Sequence, residues 1–222
     1  MQYQSWPLFD LRIRTTRLEI RLPTDEDLDT LARVARKGIH DPAKMPFMKP
    51  WTDQPSPLLE RGLVQWGWRH RAEWSPQDWT FNGAVVCNGV LVGVQDLSGE
   101  DFSSLRSVSS GSWLGLEHQG QGIGKEMRRA ILHFAFEGLG AKEANSASFV
   151  DNTASMNVSR SVGYEENGRE TTLRRGVPAE TVKFYLERSK WENTEHIDVE
   201  IEGLDNCLDL FVAPPNAATS LH

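Results

Sequence analysis

A glycine-rich run near the middle of the chain, Gln119-Gly-Gln-Gly-Ile-Gly124, carries the clearest chemical signal in the sequence. Ahead of it, residues 109–116 read as a strand. Behind it, Ile123, Met127, Ala130, Ile131 and Phe134 recur at helical spacing and mark one apolar face. A strand that runs through glycines into a helix start makes an anion site. The first N–H groups of a helix have no intrahelical partner, and the dipole favours negative charge there. Gly120, Gly122 and Gly124 also admit unusual dihedrals and a closely approaching ligand. Two phosphate motifs fail on spacing. A P-loop would need glycine where Gln119 stands and Ser or Thr where Glu126 stands, and a dinucleotide fingerprint would need its third glycine where Lys125 stands.

The elements that must position this turn follow from patterning. Leu11, Ile13, Leu18, Ile20 and Leu22 alternate around Thr15-Thr16, which predicts a broken strand. Thr24 is an N-cap ahead of Asp25, Glu26 and Asp27, and Leu28, Leu31, Val34 and Ala35 supply that helix's buried face. Residues 40–57 are rich in proline and aromatics and read as an ordered loop or lid. Leu59, Leu63, Trp66, His70 and Trp74 mark a second helix, with His70 a helix residue rather than a base. Five tryptophans between 51 and 79 suit either core packing or an aromatic wall around an acceptor. Asn88-Gly89 between two alternating runs predicts a hairpin, followed by a polar loop over 98–108. Gly138 and Gly140 end the central helix, and residues 144–150 make a further strand. Val158 and Val162 mark a short helix stopped by Gly163, after which Tyr164 re-enters a strand. Residues 169–178 then read as a hairpin loop before a last strand at 182–186. From Ser189 the chain turns acidic and irregular, apart from an apolar alternation at Ile197, Val199 and Ile201.

Length and composition bound the class. A chain of 222 residues supports one domain, over 1–190, with an extension over 191–222 whose tail from 212 reads as disordered. No apolar run is long enough for a membrane span, the first residues lack signal-peptide character, and Cys87 and Cys207 read as free thiols of a reducing cytoplasm. The cysteines make no metal-ligand spacing, and no metal is expected. A net charge of −7 argues against nucleic acid.

The glycine run resembles the [QR]-x-x-G-x-[GA] pyrophosphate loop of the GNAT N-acyltransferases. Asn152-Thr-Ala-Ser155 followed by Val162-Gly163-Tyr164 resembles the N-x-x-S…[LV]-G-[FY] segment that follows the fifth strand in that superfamily. Thr16-Arg-Leu-Glu-Ile-Arg21 and Gly111-Ser-Trp-Leu114 are similar to the first and fourth strands of its RimJ/RimL branch. The likeness spans roughly residues 10–190. It implies an α/β (α+β) fold with a mixed, strongly bent central sheet flanked by helices, in which the fourth and fifth strands splay apart and admit the pantetheine arm of acyl-coenzyme A. By the same resemblance, backbone groups of Trp113, Leu114 and Leu116 would pair with pantetheine. Gln119 belongs to the loop, N–H groups of Gln121, Gly122, Ile123, Gly124 and Lys125 would hold the pyrophosphate, and Asn152 and Ser155 would lie near the thioester.

The implied reaction is attack of a primary amine on the thioester, the amine belonging to a protein N-terminus or a small molecule. A carboxylate base would take the proton, and donors on the fourth strand would steady the oxyanion. Here the sequence departs from the family: Ser109 stands where relatives often carry an acid, and Ser159 stands where many carry a tyrosine. Asp96, Glu100 and Asp101 are the acids near the fourth strand; Asp101 is chosen as base and Ser155 as proton donor. The acyl group is acetyl by default, or a larger one such as succinyl read by Lys44, Lys49 or the tryptophan-rich helix. A non-catalytic acyl-coenzyme A binding module is the alternative, and the alternation near Ile201 suggests strand pairing in a homodimer.

Overall fold

A computed structural model describes residues 4–213. Nine strands form one sheet in the order β7-β8-β6-β5-β4-β3-β2-β1-β9. β1 (Arg12–Arg14) and β2 (Leu18–Arg21) are the two halves of the expected broken strand. α1 (Asp25–Arg36) starts in a full capping box. The Asp27 N–H donates to Thr24 Oγ1 at 3.1 Å, and the Thr24 N–H donates to Asp27 Oδ2 at 2.8 Å. Asp27 also receives the Arg21 guanidinium. Replacing Thr24 with alanine removes one half of this box, and is expected to cost about 1 kcal/mol. In a chain of this size a thermal scan should show it as a fall in Tm of about 2–4 °C.

α2 (Leu58–Ala72) packs across α1. The hairpin of β3 (Asp78–Cys87) and β4 (Val90–Glu100) turns at Asn88-Gly89, both with positive φ, as that dipeptide favours. β4 runs further than its sequence suggests. The expected polar loop shrinks to Asp101, the short α3 (Phe102–Leu105) and Arg106, because Gly99 and Phe102 pack under Trp79. β5 (Ser107–Leu114) leads through the glycine run into α4 (Ile123–His133), which ends in a π-turn over Phe134–Gly138. β6 (Glu143–Phe149) and α5 (Thr153–Ser161) follow as expected.

The region after α5 differs from its sequence reading. Residues 169–178 belong to two long strands, β7 (Glu165–Arg174) and β8 (Val177–Glu187), which turn at Arg175-Gly176. β7 takes up the strand expected from Tyr164, but it is almost entirely exposed, so no apolar alternation announces its length. β8 is also not the last strand. β9 (Glu200–Glu202) pairs with β1 of the same chain, Ile201 opposite Ile13, so the pairing anticipated with a second chain is made internally. Residues beyond β9 plug the core. The Phe211 ring packs against Trp74, Trp79 and Phe134, while the indole N–H groups of Trp74 and Trp79 donate to the carbonyls of Leu210 and Phe211 at 2.8 and 3.0 Å. Residues 214–222, most of the tail read as disordered, lie outside the described residues. No helix among the described residues is long and apolar enough to cross a membrane.

Candidate active site

β5 and β6 are the only parallel neighbours in the sheet, and they correspond to the fourth and fifth strands of the sequence reading because the first strand is split in two. Their pairing is short: Ser107↔Glu143, Val108↔Ala144 and Ser109↔Asn145. Beyond that point β5 stays with β4 as far as Leu114, and β6 stays with β8 as far as Phe149. The next step is bridged only by side chains, Ser146 Oγ donating to the Ser110 carbonyl at 3.2 Å. The strands splay as expected. Between them opens a cleft of about 640 Å³.

Of the residues singled out for binding, Trp113, Leu114, Gln119, Gly122, Gly124, Lys125, Asn152 and Ser155 line this cleft. The glycine loop is built for an anion: Gly122 caps α4 at φ +78, so the N–H groups of Ile123, Gly124 and Lys125 form the free first turn of an eleven-residue helix. The loop is braced from outside. Arg17 bonds Glu126 at 2.5 Å and the Gln121 carbonyl at 3.2 Å, and Thr15 bonds Glu126 at 2.5 Å.

The side chains of the remaining residues serve the fold. The Gln119 amide donates to the carbonyls of Ile39 and Leu114, at 2.8 and 2.9 Å, so it ties the loop to the fold. Leu116 lies outside the cleft, and its N–H is taken by the Gly38 carbonyl at 3.0 Å. The Ile123 side chain is in the core, and Gln121 turns its amide to the Glu117 carbonyl. Asn152 caps α5 by accepting from the Ser155 N–H, which leaves the Ser155 hydroxyl along the cleft wall. Asp101 is exposed beyond the end of β4, at the closed end of the β5–β6 pair, and lines neither the cleft nor the chamber described next.

Asp96, another of the acids considered, does line the chamber. In mid-β4 it stands opposite Gly111 of β5 and Asn82 of β3. A side chain at Gly111 would begin 3.9 Å from Asp96 Oδ2, so the glycine leaves the carboxyl uncovered on that side. Asp96 Oδ1 has no contact with solvent and no hydrogen-bond partner, and burial pushes the carboxyl up to about 7 from an ordinary 3.8. Asp96 lines a second cavity, an apolar chamber of about 500 Å³ enclosed by α1, α2 and the loop after α1. Chamber and cleft share Gly111, Ser112 and Trp113 of β5, with Phe47 and Met48 of the loop above. Hence β5 separates two spaces that meet at one point, and the titrating carboxyl faces that point.

Four of the five tryptophans divide between the two roles considered for them, while Trp68 is exposed and donates to Asp25 at 3.0 Å. Trp74 and Trp79 are core. Trp51 and Trp66 line the chamber, with Trp51 5.4 Å from Phe47 and 6.0 Å from Trp113 between ring centroids. The loop that carries Phe47 and Trp51 is held by the β7–β8 turn, where Arg175 bonds both Asp53 oxygens, at 2.5 and 2.6 Å, and the Pro42 carbonyl at 3.0 Å. Of the lysines considered for an anionic acyl group, Lys49 borders the chamber and Lys44 borders neither space.

Arg128 carried no signal in the sequence beyond a charge on the inner side of α4. It is 4 % exposed, lines the cleft floor, and reaches the hydroxyls of Ser112 and Ser146 at 3.3 Å each. Its Nε has no partner. Among the described residues, no group of three or more His, Cys, Asp or Glu is placed to hold a metal.

A bent mixed sheet that opens between two parallel strands, beside a helix start with free N–H groups, defines a coenzyme A-dependent acyltransferase. The family model for the acetyltransferase (GNAT) domain matches residues 17–165, and the chain belongs to that family. Among solved structures it is similar to Mycobacterium smegmatis RimJ in complex with a coenzyme A disulfide, at 17 % identity over 91 % of this chain and 95 % of that one, with a TM-score of 0.68. It is also similar to RimL, a ribosomal L7/L12 α-N-protein acetyltransferase in complex with coenzyme A, at 19 % identity over 78 % and 95 %, TM-score 0.61. A Vibrio cholerae spermidine N-acetyltransferase chimera matches at 18 % identity over 80 % and 99 %, TM-score 0.63. At these identities the likeness is one of fold.

Proposed function

We propose that the chain transfers an acyl group from acyl-coenzyme A to a primary amine, in a ternary complex, with Asp96 as general base. The observation that carries this reading is the junction at Gly111–Trp113, where the cleft meets a chamber that presents one carboxyl poised near neutrality. The N–H groups of Ile123, Gly124 and Lys125 would hold the pyrophosphate, and the β5 edge at Trp113 and Leu114 would pair with pantetheine. Asn152 and Ser155 form the facing wall. Acyl-coenzyme A supplies the thioester carbonyl, with which the amine nitrogen forms a bond as the bond to sulfur breaks. Asp96 takes the amine proton, and Ser155 is the proposed donor to the departing sulfur, its hydroxyl regaining a proton from water as it gives one so that no alkoxide is left. A carboxylate near 7 suits an acceptor such as a peptide α-amine, with an ordinary pKa of about 7.7–8. This fits a RimJ/RimL-like enzyme acting on a protein N-terminus or a small amine in the cytoplasm.

The acyl group need not be acetyl. A buried guanidinium whose only hydrogen-bond partners are hydroxyls is costly, and Arg128 has no ion pair among the described residues. An acid-terminated acyl chain such as succinyl would supply the missing anion at the cleft floor. Thiol release with acetyl- and succinyl-coenzyme A over a panel of amines tests both statements. Wild type should favour succinyl by about tenfold or more in kcat/KM, a difference of roughly 1.4 kcal/mol, and Arg128→Met should reverse the preference. An equal loss for both thioesters would reduce Arg128 to a structural role. Ligand-induced stabilisation with no thiol released for any amine would favour a non-catalytic coenzyme A binder.

A further inference from the structure

The acceptor chamber is more selective in composition than amine transfer alone requires. We infer that the acceptor is a primary monoamine on a large apolar frame, its nitrogen docked between Asn82 and Asp96, an inference that rests on the acyltransfer reading above. Asn82 and Asp96 stand directly opposite each other in the β3–β4 register, so both side chains rise from one face of the sheet into the chamber. Asn82 is 7 % exposed, and neither its Oδ1 nor Asp96 Oδ1 has a hydrogen-bond partner. With Asp96 ionised, as a base must be, these are two adjacent buried acceptors without a donor, which is rare in folded proteins because each forfeits its water without replacement. A primary amine brings two N–H groups, or three when charged, and one nitrogen can serve both oxygens.

The remaining surface specifies what the nitrogen is attached to. Leu28, Leu31, Leu63 and Val94 form one wall, and the rings of Trp51 and Trp113 form another. A cavity of about 500 Å³ lies within the usual range for a compact organic ligand, and apolar walls reward burial of a carbon frame. Charge sets the second limit. Asp96 is the only carboxylate among the lining residues, and the other charged one is Lys49, whose ammonium lies 5.8 Å from the centre of the Trp66 ring. A second positive charge on the acceptor would find no counter-ion and would meet Lys49, which selects against polyamines. This separates the chamber from what a spermidine acetyltransferase must accommodate. The same chemistry is offered by a free arylalkyl- or alkylamine and by a peptide whose first residue has a large apolar side chain.

Gly62 makes the test clean. It lines the chamber from an exposed position on α2, and a Cβ placed there meets nothing within 4 Å, so Gly62→Leu adds bulk at the chamber edge with no clash at its first atom. Turnover at saturating acyl-coenzyme A would be compared for phenethylamine, tryptamine, ethylamine, spermidine, and peptides beginning with leucine or serine. The expected order places the bulky apolar amines at least about tenfold above ethylamine and spermidine in kcat/KM, in line with the effect of a few buried methylenes. The peptide pair then shows whether a free amine or a chain terminus is the source. Gly62→Leu should lower kcat/KM for the bulky amines about tenfold or more relative to ethylamine, chiefly through KM, with acyl-coenzyme A affinity unchanged. Preference for spermidine, or a bulky-amine KM indifferent to Gly62→Leu, overturns the inference. Should no amine be turned over at all, acyltransfer itself fails. Calorimetric binding of phenethylamine, abolished by Gly62→Leu, would still support the chamber's specificity, and absence of binding to wild type would overturn it.

Discussion

Asp96→Asn is expected to lower kcat by about 10²–10⁴-fold, the usual contribution of a positioned general base, while acyl-coenzyme A binds as before. The amide keeps the shape of the side chain and removes only its ability to take a proton. Wild-type kcat/KM should rise with pH through an apparent pKa of about 7 and level off above it, since the carboxyl acts only when ionised. Stability should run the other way. The folded carboxyl holds its proton up to about 7, whereas the unfolded one releases it near 3.8, so between those values the unfolded state binds fewer protons and stability falls as pH rises. Asp96→Asn lacks that loss. Its Tm should match or exceed that of wild type at pH 8, and the gap should narrow toward pH 5. A variant that retains turnover within a few-fold would remove Asp96 from the mechanism, whatever its stability.

Gly124→Leu should weaken coenzyme A binding by about 10²-fold or more and leave the fold intact. The residue lies in the first turn of α4 and lines the cleft, so a side chain there holds a pyrophosphate away from the helix N–H groups. Hydrogen bonds to a charged group contribute about 1.5–3 kcal/mol each, and losing two gives the stated factor. A Cβ at position 124 would touch only Leu114 and Val158, at an ordinary 3.9 Å, so the first atom of the new side chain meets no clash. The backbone there is not in the left-handed region, and leucine is a better helix former than glycine by nearly 1 kcal/mol. Gly122 would be a poorer choice, because at φ +78 any side chain costs about 1–2 kcal/mol and confuses folding with binding. Calorimetry with coenzyme A beside a thermal scan distinguishes the two effects. Unchanged affinity in a stable Gly124→Leu protein would show that the pyrophosphate lies elsewhere.

The difference between Asp101 and Asp96 shows where sequence reasoning loses its grip. The two are five residues apart, and Asp101 is the nearer in sequence to β5. Along a strand that interval is roughly 17 Å, and β4 runs antiparallel to β5, so the later residue is carried away from the splay rather than toward it. Which acid faces the junction depends on register, and register is decided between strands. The same limit hid the length of β7, which buries neither face, and the plug around Phe211, a lone aromatic in an acidic stretch with no periodicity. By contrast, α1 and the β3–β4 hairpin were legible because their signals, a capping box and an Asn-Gly turn, are complete within a few residues.

A similar division runs through the site. The cleft side was determined by the sequence itself: the glycine loop, the start of α4 and the capped start of α5 at Asn152–Ser155 are short contiguous runs whose local backbone geometry follows from residue type and spacing. The acceptor half was decided by tertiary structure. Asn82, Asp96 and Gly111 come from three strands, Trp51 from a loop and Gly62 from α2, and they meet only once the sheet register is set and the helices have packed over it. Burial then changes the chemistry, raising one aspartate to about 7 and leaving its neighbour's oxygen without a donor. These are properties of an environment, which no residue carries along the chain.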